Sequence, residues 1–324
     1  MLEKKKYGGV DFFRIIAAIL IITIHTSPLS SVNATADFLL TRVAARIAVP
    51  FFLMVTGFFV LGSSDQLKRF LKKTTILYGI SILIYLPIGI YAGYFEQPGF
   101  FSVLRMVLFD GTFYHLWYFP AVIIGAMLVY ILEHKLSFKW VAVLSILLYA
   151  IGLLGDSYYG LVKDSGFYNI LFQIFSYTRN GLFYAPVFLA MGRGISKNQR
   201  KHTGKMDFAG FLVSLILLFT EGMLLHTYGL QRHGSMYIML LPCMFFLFRL
   251  ILSIRTTVKI PREISAWIYI LHPACIVAVR GVAKVTGTED FLIQNSIIHF
   301  LAVCTPVSYT HLDVYKRQYQ FIVV

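Results

Sequence analysis

An arginine and a histidine on one predicted membrane helix carry the strongest chemical signal in the sequence. The apolar stretch from Asp11 to Thr26 contains Arg14 and His25. Ionisable groups are costly in hydrocarbon, so they usually face a protein interior or a wet cavity and mark a functional site. Their spacing is about three helical turns, which places both side chains on one face, roughly 16 Å apart along the axis.

These two side chains suit proton transfer and anion binding. A histidine whose pKa lies near neutrality can remove a proton from a hydroxyl, and a guanidinium forks onto a carboxylate or a phosphate. We therefore predict that His25 is a general base and that Arg14 binds an anionic group. The alternative is structural, with Arg14 snorkelling to the headgroups and His25 hydrogen-bonded between helices.

Other candidate substrate-binding residues lie near the predicted outer interface. Arg42 and Arg46 are four residues apart in the second span and could hold an anion or stabilise an oxyanion. His115 and Trp117 open the fourth span, and Arg179 precedes the sixth. The alternative is interfacial snorkelling for Arg42 and Arg46 and membership of the aromatic belt for His115 and Trp117.

A basic cluster between the second and third spans could contact the phosphates of a donor. It contains Arg69 and Lys72 on the predicted cytoplasmic side, where topology and anionic lipid are the commoner reason for such clusters. The sequence has no Walker A, HExxH or GxSxG motif, and its three cysteines form no CxxC pair. We therefore predict no metal site.

Two further polar groups inside predicted spans are expected to be structural. His272 precedes Pro273, and a proline in a helix leaves a carbonyl without its usual donor, so we expect His272 to hydrogen-bond to backbone. Glu221 is a carboxylate within a predicted span, and we expect it in a buried ion pair.

Composition defines an integral membrane protein. The chain has 324 residues, of which 58% are hydrophobic and only 14% are charged, whereas soluble domains carry about a quarter charged residues. The formal net charge is +14, but the basic residues form short clusters between apolar runs. That distribution follows the positive-inside rule and argues against nucleic-acid binding.

The sequence predicts an all-α, polytopic transmembrane bundle in the plasma membrane. A helix needs about 20 apolar residues to cross the bilayer core, and about ten such spans can be placed. The connections on the side of the amino terminus hold most of the lysines and arginines, so the amino terminus is predicted to be cytoplasmic. The spans are Phe12–Leu29, Val43–Leu61, Thr74–Tyr94, Leu116–Leu132, Trp140–Leu154, Gly181–Ile195, Phe208–Tyr228, Tyr237–Ser253, Ile264–Val285 and Phe291–Val303.

The carboxyl end differs in character from the rest of the chain. From Pro306 it runs PVSYTHLDVYKRQ, which is polar and interrupts the tenth span. We interpret residues 305–324 as a non-native tail from sequencing or assembly, and residues 1–304 as the membrane domain. In that case the native continuation, including any cytoplasmic carboxyl-terminal domain, is missing. The alternative is a natural cytoplasmic tail.

In this order, these stretches resemble the acyltransferase-3 family of integral membrane proteins. The likeness rests on Arg14 and His25 in the first helix, RIAVPFFLMVTGFF from Arg46, HLWYFPAV from His115 and the YxLHP that ends at Pro273. It implies ten membrane helices and acyl transfer from cytoplasmic acyl-coenzyme A, acetyl-coenzyme A above all, to a hydroxyl of a cell-envelope or small extracytoplasmic acceptor.

The resemblance also assigns roles to individual residues. His25 corresponds to the catalytic histidine of the family, and Arg14 to the basic residue of its first helix. The Arg-x-x-Arg donor motif is only approximated here by Arg69-x-x-Lys72.

Within the family, the chain looks most like the membrane half of vancomycin-resistance serine racemases, which a cytoplasmic racemase domain follows. That likeness implies a second hypothesis, a non-acylating, permease-like module for L-serine uptake, in which Arg14 or Arg42 binds the amino-acid carboxylate. Acyl transfer with His25 as general base is the first hypothesis.

Overall fold

The computed structural model describes residues 7–95, 99–198, 204–254, 256 and 261–306, and within those ranges every regular element is a helix. Short 3-10 and π turns connect or extend the longer elements. The main helices are α1 (Gly8–Thr26), α2 (Ala34–Phe59), α3 (Ser64–Tyr91), α4 (Phe100–Arg105), α5 (Tyr118–Lys135), α6 (Phe138–Leu154), α7 (Gly166–Ile174), α8 (Ala185–Lys197), α9 (Gly204–Thr227), α10 (Leu240–Ser253), α11 (Arg262–Thr286) and α12 (Ser296–Pro306).

Each of the ten predicted spans contains a helix, so the all-α assignment agrees with the structure. Six helices, α1, α2, α3, α5, α9 and α11, are long and apolar enough to cross a membrane. Three more, α6, α10 and α12, are apolar but shorter, and α8 has 13 residues. The structure therefore supports a helical membrane bundle, while the number of spans and the cytoplasmic amino terminus stay predictions.

The helix α2 changes its hydrogen-bond pattern in the middle. A π turn covers Leu39–Val43 and a 3-10 turn covers Ala44–Ile47, before regular α-helix resumes at Ala48. Pro50 has no N–H to donate to the carbonyl four residues earlier, which accounts for irregular bonding in the turn before it. The 3.6-residue period therefore cannot be applied across this segment.

The chain divides into two compact units. The first consists of Met1–Ala48 with Ile251–Val324, and the second of Val49–Leu250. The core of the first unit lies between α1, α11 and α12, where Ala18, Ile22, Ile268, Ile276 and Val303 are all buried. Of the predicted tail, residues 307–324 lie outside the described residues, and α12 extends to Pro306.

In the second unit, two glycines bring α2 and α8 into direct backbone contact. A Cβ added at Gly57 would overlap the carbonyl of Leu189, and one added at Gly192 would overlap the carbonyl of Met54. The pairs run in opposite directions along the two helices, so the helices cross antiparallel. Small residues at such a crossing allow the close backbone approach that stabilises membrane helix pairs.

Candidate functional site

His25 lies in the last turn of α1, in the first unit, and its ring stacks on the ring of His272 from α11. The ring centroids are 5.2 Å apart and the planes meet at 26°. His25 is half-buried, whereas His272 is fully buried. The helix ends one residue later at Thr26, where Ser27 adopts a left-handed conformation with φ of 48°. The candidate base therefore faces a second imidazole, which the sequence alone did not place there.

The backbone of α11 orients the ring of His272. Its Nδ1 lies 2.8 Å from the carbonyl oxygen of Tyr269 and 3.2 Å from that of Ile268. A carbonyl oxygen only accepts, so Nδ1 carries a proton and donates it. Tyr269 is four residues before Pro273, so His272 supplies the donor that Pro273 lacks, and the predicted structural hydrogen bond is confirmed.

Arg14 forms an ion pair with a residue about one helical turn earlier in α1. Its guanidinium contacts the carboxylate of Asp11 at 2.5 Å, and the side chains are 12% and 23% exposed. Helix α1 is uninterrupted between Gly8 and Thr26, so the predicted axial spacing of Arg14 and His25 holds. Arg14 therefore belongs to a half-buried ion pair at the start of the helix, with His25 near its end.

The irregular segment of α2 packs against α1 and separates its two arginines. Both the π turn and the 3-10 turn contact α1. Arg46 is buried, with 7% of its surface exposed, whereas Arg42 is exposed. The two side chains therefore do not share one surface as paired i, i+4 neighbours of a regular helix would, because the intervening turns are not α-helical.

In the second unit, two of the predicted substrate-binding residues, Trp117 and Arg179, contact each other. The guanidinium carbon of Arg179 lies 5.2 Å from the ring centroid of Trp117 and 4.7 Å from that of Tyr177. One guanidinium nitrogen also donates to the hydroxyl of Ser235 at 3.4 Å. A cation held between aromatic faces keeps its N–H donors in the guanidinium plane, where a carboxylate can bind.

Two carboxylates that the sequence interpretation missed lie in the surroundings of this arginine. Asp110 forms an ion pair with Arg105 at 3.3 Å, and Arg179 acts on it electrostatically. Burial raises the pKa of Asp110, and hydrogen bonds from Ser176 and the two arginine charges oppose that shift. The second carboxylate, Asp156, accepts the N–H of Ser235 at 2.5 Å and so holds the loop that contacts Arg179. No local motif marks either residue.

His115 is a core residue of the second unit. It is 1% exposed, and its ring meets Tyr85 edge-on at 4.7 Å and Phe113 at 5.7 Å. It is therefore enclosed by protein and does not present its ring at the surface, as a residue of the interfacial aromatic belt would. Tyr85 belongs to α3, so the sequence around His115 gave no sign of this partner.

The predicted donor residues are exposed on α3. Both Arg69 and Lys72 are open to solvent, and Nε of Arg69 donates to the backbone carbonyl of Asp65 at 3.2 Å. The arrangement holds Arg69 along its own helix. Among the residues that the structure describes, no three His, Cys, Asp or Glu side chains group closely enough to hold a metal ion.

Comparison with known sequences now identifies the class of protein. Residues 7–307 match the acyltransferase-3 family, described as an acyltransferase domain, so the chain belongs to that family of membrane proteins. The resemblance drawn from Arg14, His25 and the later motifs is thereby confirmed at the level of the family. No solved structure matches the chain.

The curated relatives carry a more particular name. The chain is 39% identical over 315 residues to an amino-acid racemase of Enterococcus faecalis and 36% identical over 315 residues to a serine/alanine racemase of Enterococcus gallinarum. These matches cover 94% and 92% of this chain but only 44% of each relative. The chain thus spans less than half the length of the curated relatives it matches.

Proposed function

We propose that the chain is a membrane module that binds a small L-amino acid of the serine class and passes it through the plasma membrane to a racemase. The observation that carries the proposal is the uneven coverage of the racemase matches. Nearly all of this chain matches, yet it corresponds to less than half of each relative. A module of a larger amino-acid-converting protein needs the substrate of that protein, and it does not itself need an acyl donor.

The polar groups of the second unit suit a zwitterionic ligand. An amino acid presents a carboxylate and an ammonium group, so its site must offer a cation and an anion. Arg179, stacked on Trp117 and Tyr177, is the proposed carboxylate-binding residue. Asp110, which is electrostatically coupled to Arg179, is the proposed partner of the ammonium group.

The residues that were predicted to bind the acyl donor give less support to acyl transfer. Arg69 bonds to its own helix, and Lys72 stands where the family motif has its second arginine. Arg14, the cation of the first helix, forms an ion pair with Asp11. A nucleotide-like donor would need these cations for its phosphates, whereas a single amino-acid carboxylate needs one.

Acyl transfer is the second candidate, and the stacked histidines favour it. His25 is half-buried against the ring of His272, an environment in which an imidazole can act as a base. In this reaction Nε2 or Nδ1 of His25 takes the proton of an acceptor hydroxyl, whose oxygen attacks the thioester carbonyl of acetyl-coenzyme A. Coenzyme A leaves as the thiol after it takes up a proton.

One reconstitution separates the two candidates. Proteoliposomes that contain the full chain and are preloaded with unlabelled L-serine are given labelled L-serine, with and without acetyl-coenzyme A. We expect counterflow uptake that does not depend on acetyl-coenzyme A and that falls in Arg179→Gln. Arg232→Gln is the matched control, because Arg232 also stacks on a ring, 3.5 Å from the centroid of Phe172 in the same unit.

The contrary result is equally definite. If vesicles show no uptake above empty liposomes but transfer labelled acetyl groups to a hydroxyl acceptor, the permease proposal is wrong and the second candidate stands. His25→Gln should then abolish transfer.

A further inference from the structure

The second unit contains a groove that neither candidate function uses. It has a volume of about 460 Å³, which is in the range of roughly 300–1,000 Å³ for small-molecule sites, and it lies between α6, α8 and α10. Most of its lining is apolar, and includes Ile146, Val187, Met191 and Ile195. The groove is therefore shaped and lined for a hydrocarbon ligand.

The groove opens on a side of α6 that is apolar outside as well. Ile146, which lines the groove, is 51% exposed, and its neighbour Leu147 is 55% exposed. A membrane helix with such residues on its outer face contacts acyl chains. The groove is thus open toward the region that lipid occupies, so a ligand can enter it from the bilayer.

Two cations stand beside the groove, each over a phenylalanine that lines it. Nζ of Lys197 lies 4.9 Å from the ring centroid of Phe138, and the guanidinium carbon of Arg249 lies 5.1 Å from that of Phe245. The groove thus combines a largely apolar lining with a charged rim formed by Lys197 and by Arg249, which itself lines the groove. This is the division of chemistry that a lipid with an anionic headgroup requires.

The charged rim carries an excess of positive charge. Lys197 and Arg193 share the carboxylate of Glu133, at 2.6 Å and 3.1 Å, and Arg249 pairs with Asp207 at 3.0 Å. Three cations thus face two carboxylates. Asp207 is almost fully buried, which keeps Arg249 at this position.

We propose that this groove binds one acyl chain of an anionic phospholipid, whose phosphate contacts Arg249 and Lys197. The sequence predicts that this end of the helices is cytoplasmic, where the leaflet carries most of the negative lipid charge. The site is independent of serine transport and of acyl transfer.

The test is lipid binding by native mass spectrometry of the full, delipidated chain. Phosphatidylglycerol and phosphatidylcholine with identical acyl chains are compared at equal concentrations. We expect about a fivefold preference for phosphatidylglycerol per contacting cation. Because Lys197 remains in Arg249→Gln/Asp207→Asn, the preference should fall about fivefold in that double variant and not disappear. This double variant removes both charges together, so no carboxylate is left buried without its partner. Equal binding of the two lipids to the unchanged protein would overturn the proposal without any variant.

A second pair of variants tests where the acyl chain lies. Ala142 lines the groove and is half-buried, so Ala142→Phe should fill it and lower phosphatidylglycerol binding at least as much as the charge change. Ala150→Phe, on an exposed position of the same helix outside the groove, is the matched control. Equal binding in both variants would place the lipid elsewhere and contradict the proposal. Serine counterflow, measured on the same samples, reports separately on the proposed function.

Discussion

The ring of His272 stacks on that of His25 within the first unit, and its Nδ1–H donates to the carbonyl of Tyr269 that Pro273 leaves without a backbone donor. The side chain of His272 thus satisfies a backbone carbonyl of its own helix and also stacks on the candidate base, His25. The orientation of its ring follows from the proline.

This dual role predicts a specific coupling between two adjacent residues. His272→Phe keeps the ring but removes the donor, and should lower the free energy of unfolding by about 1–3 kcal/mol because a buried carbonyl becomes unsatisfied. Adding Pro273→Ala restores a backbone N–H at the position that reaches Tyr269, so the double variant should recover part of the loss. Unfolding in detergent micelles measures both. Purely additive effects in the double-mutant cycle would contradict this assignment.

Arg179 should not tolerate lysine. Its planar guanidinium stacks on Trp117 and Tyr177, and an ammonium group cannot reproduce both that stacking and a bidentate carboxylate contact. Arg179→Lys should raise the half-saturation concentration for serine about tenfold or more, as expected for the loss of a charged hydrogen bond. The control is Arg232→Lys, for which we expect unchanged kinetics. Similar losses in both variants would indicate a general effect on the fold.

Asp110 should make stability depend on pH in a defined direction. Burial raises the pKa of this carboxyl in the folded protein above its value in the unfolded chain, so the folded state binds the proton more tightly. The stabilising contribution of the protonated form is present below the unfolded pKa and is lost as pH rises through the folded pKa. The melting temperature of Asp110→Asn, relative to the unchanged protein, should therefore rise between pH 4 and pH 7. A difference that is constant or falls over this interval would refute the assignment.

The glycine crossing of α2 and α8 predicts a sharp positional effect. Gly57→Ala and Gly192→Ala each place a methyl group against a backbone carbonyl, and each should cost about 1–3 kcal/mol or more through overpacking. Gly79→Ala in α3 has open space around it and should instead gain about 0.5–1 kcal/mol from helix propensity. Thermal unfolding of the three variants in micelles gives the comparison. A destabilised Gly79→Ala with an unaffected Gly57→Ala would reverse the interpretation.

What the sequence predicted well depends on local physics. The ten helical segments follow from the lengths of apolar runs, and the hydrogen bond of His272 follows from the fixed offset between a proline and the carbonyl four residues before it. Both relations lie within one helix, so no knowledge of the tertiary structure is needed to derive them.

What it missed depends on distant partners or irregular backbone. Glu221 was expected in an ion pair, but in the described structure it accepts the hydroxyl of Tyr158 and the N–H groups of Ile238 and Met239 ahead of α10. Arg42 and Arg46 were expected on one surface, and the π and 3-10 turns between them prevent it. The first outcome depends on partners far away in the chain, and the second on backbone turns that a regular helical period does not describe.

The contact of Gly57 with Leu189 joins segments that lie far apart in the chain, so it can form only after the ribosome has delivered α8 to the bilayer. The helices of the second unit between them are therefore synthesised before this crossing can form. A bulky residue at Gly57 or Gly192 should therefore interrupt assembly at a late stage. The earlier helices would then already be inserted and exposed to membrane proteases. Abundance in the cell would then report on this crossing before any assay of activity could.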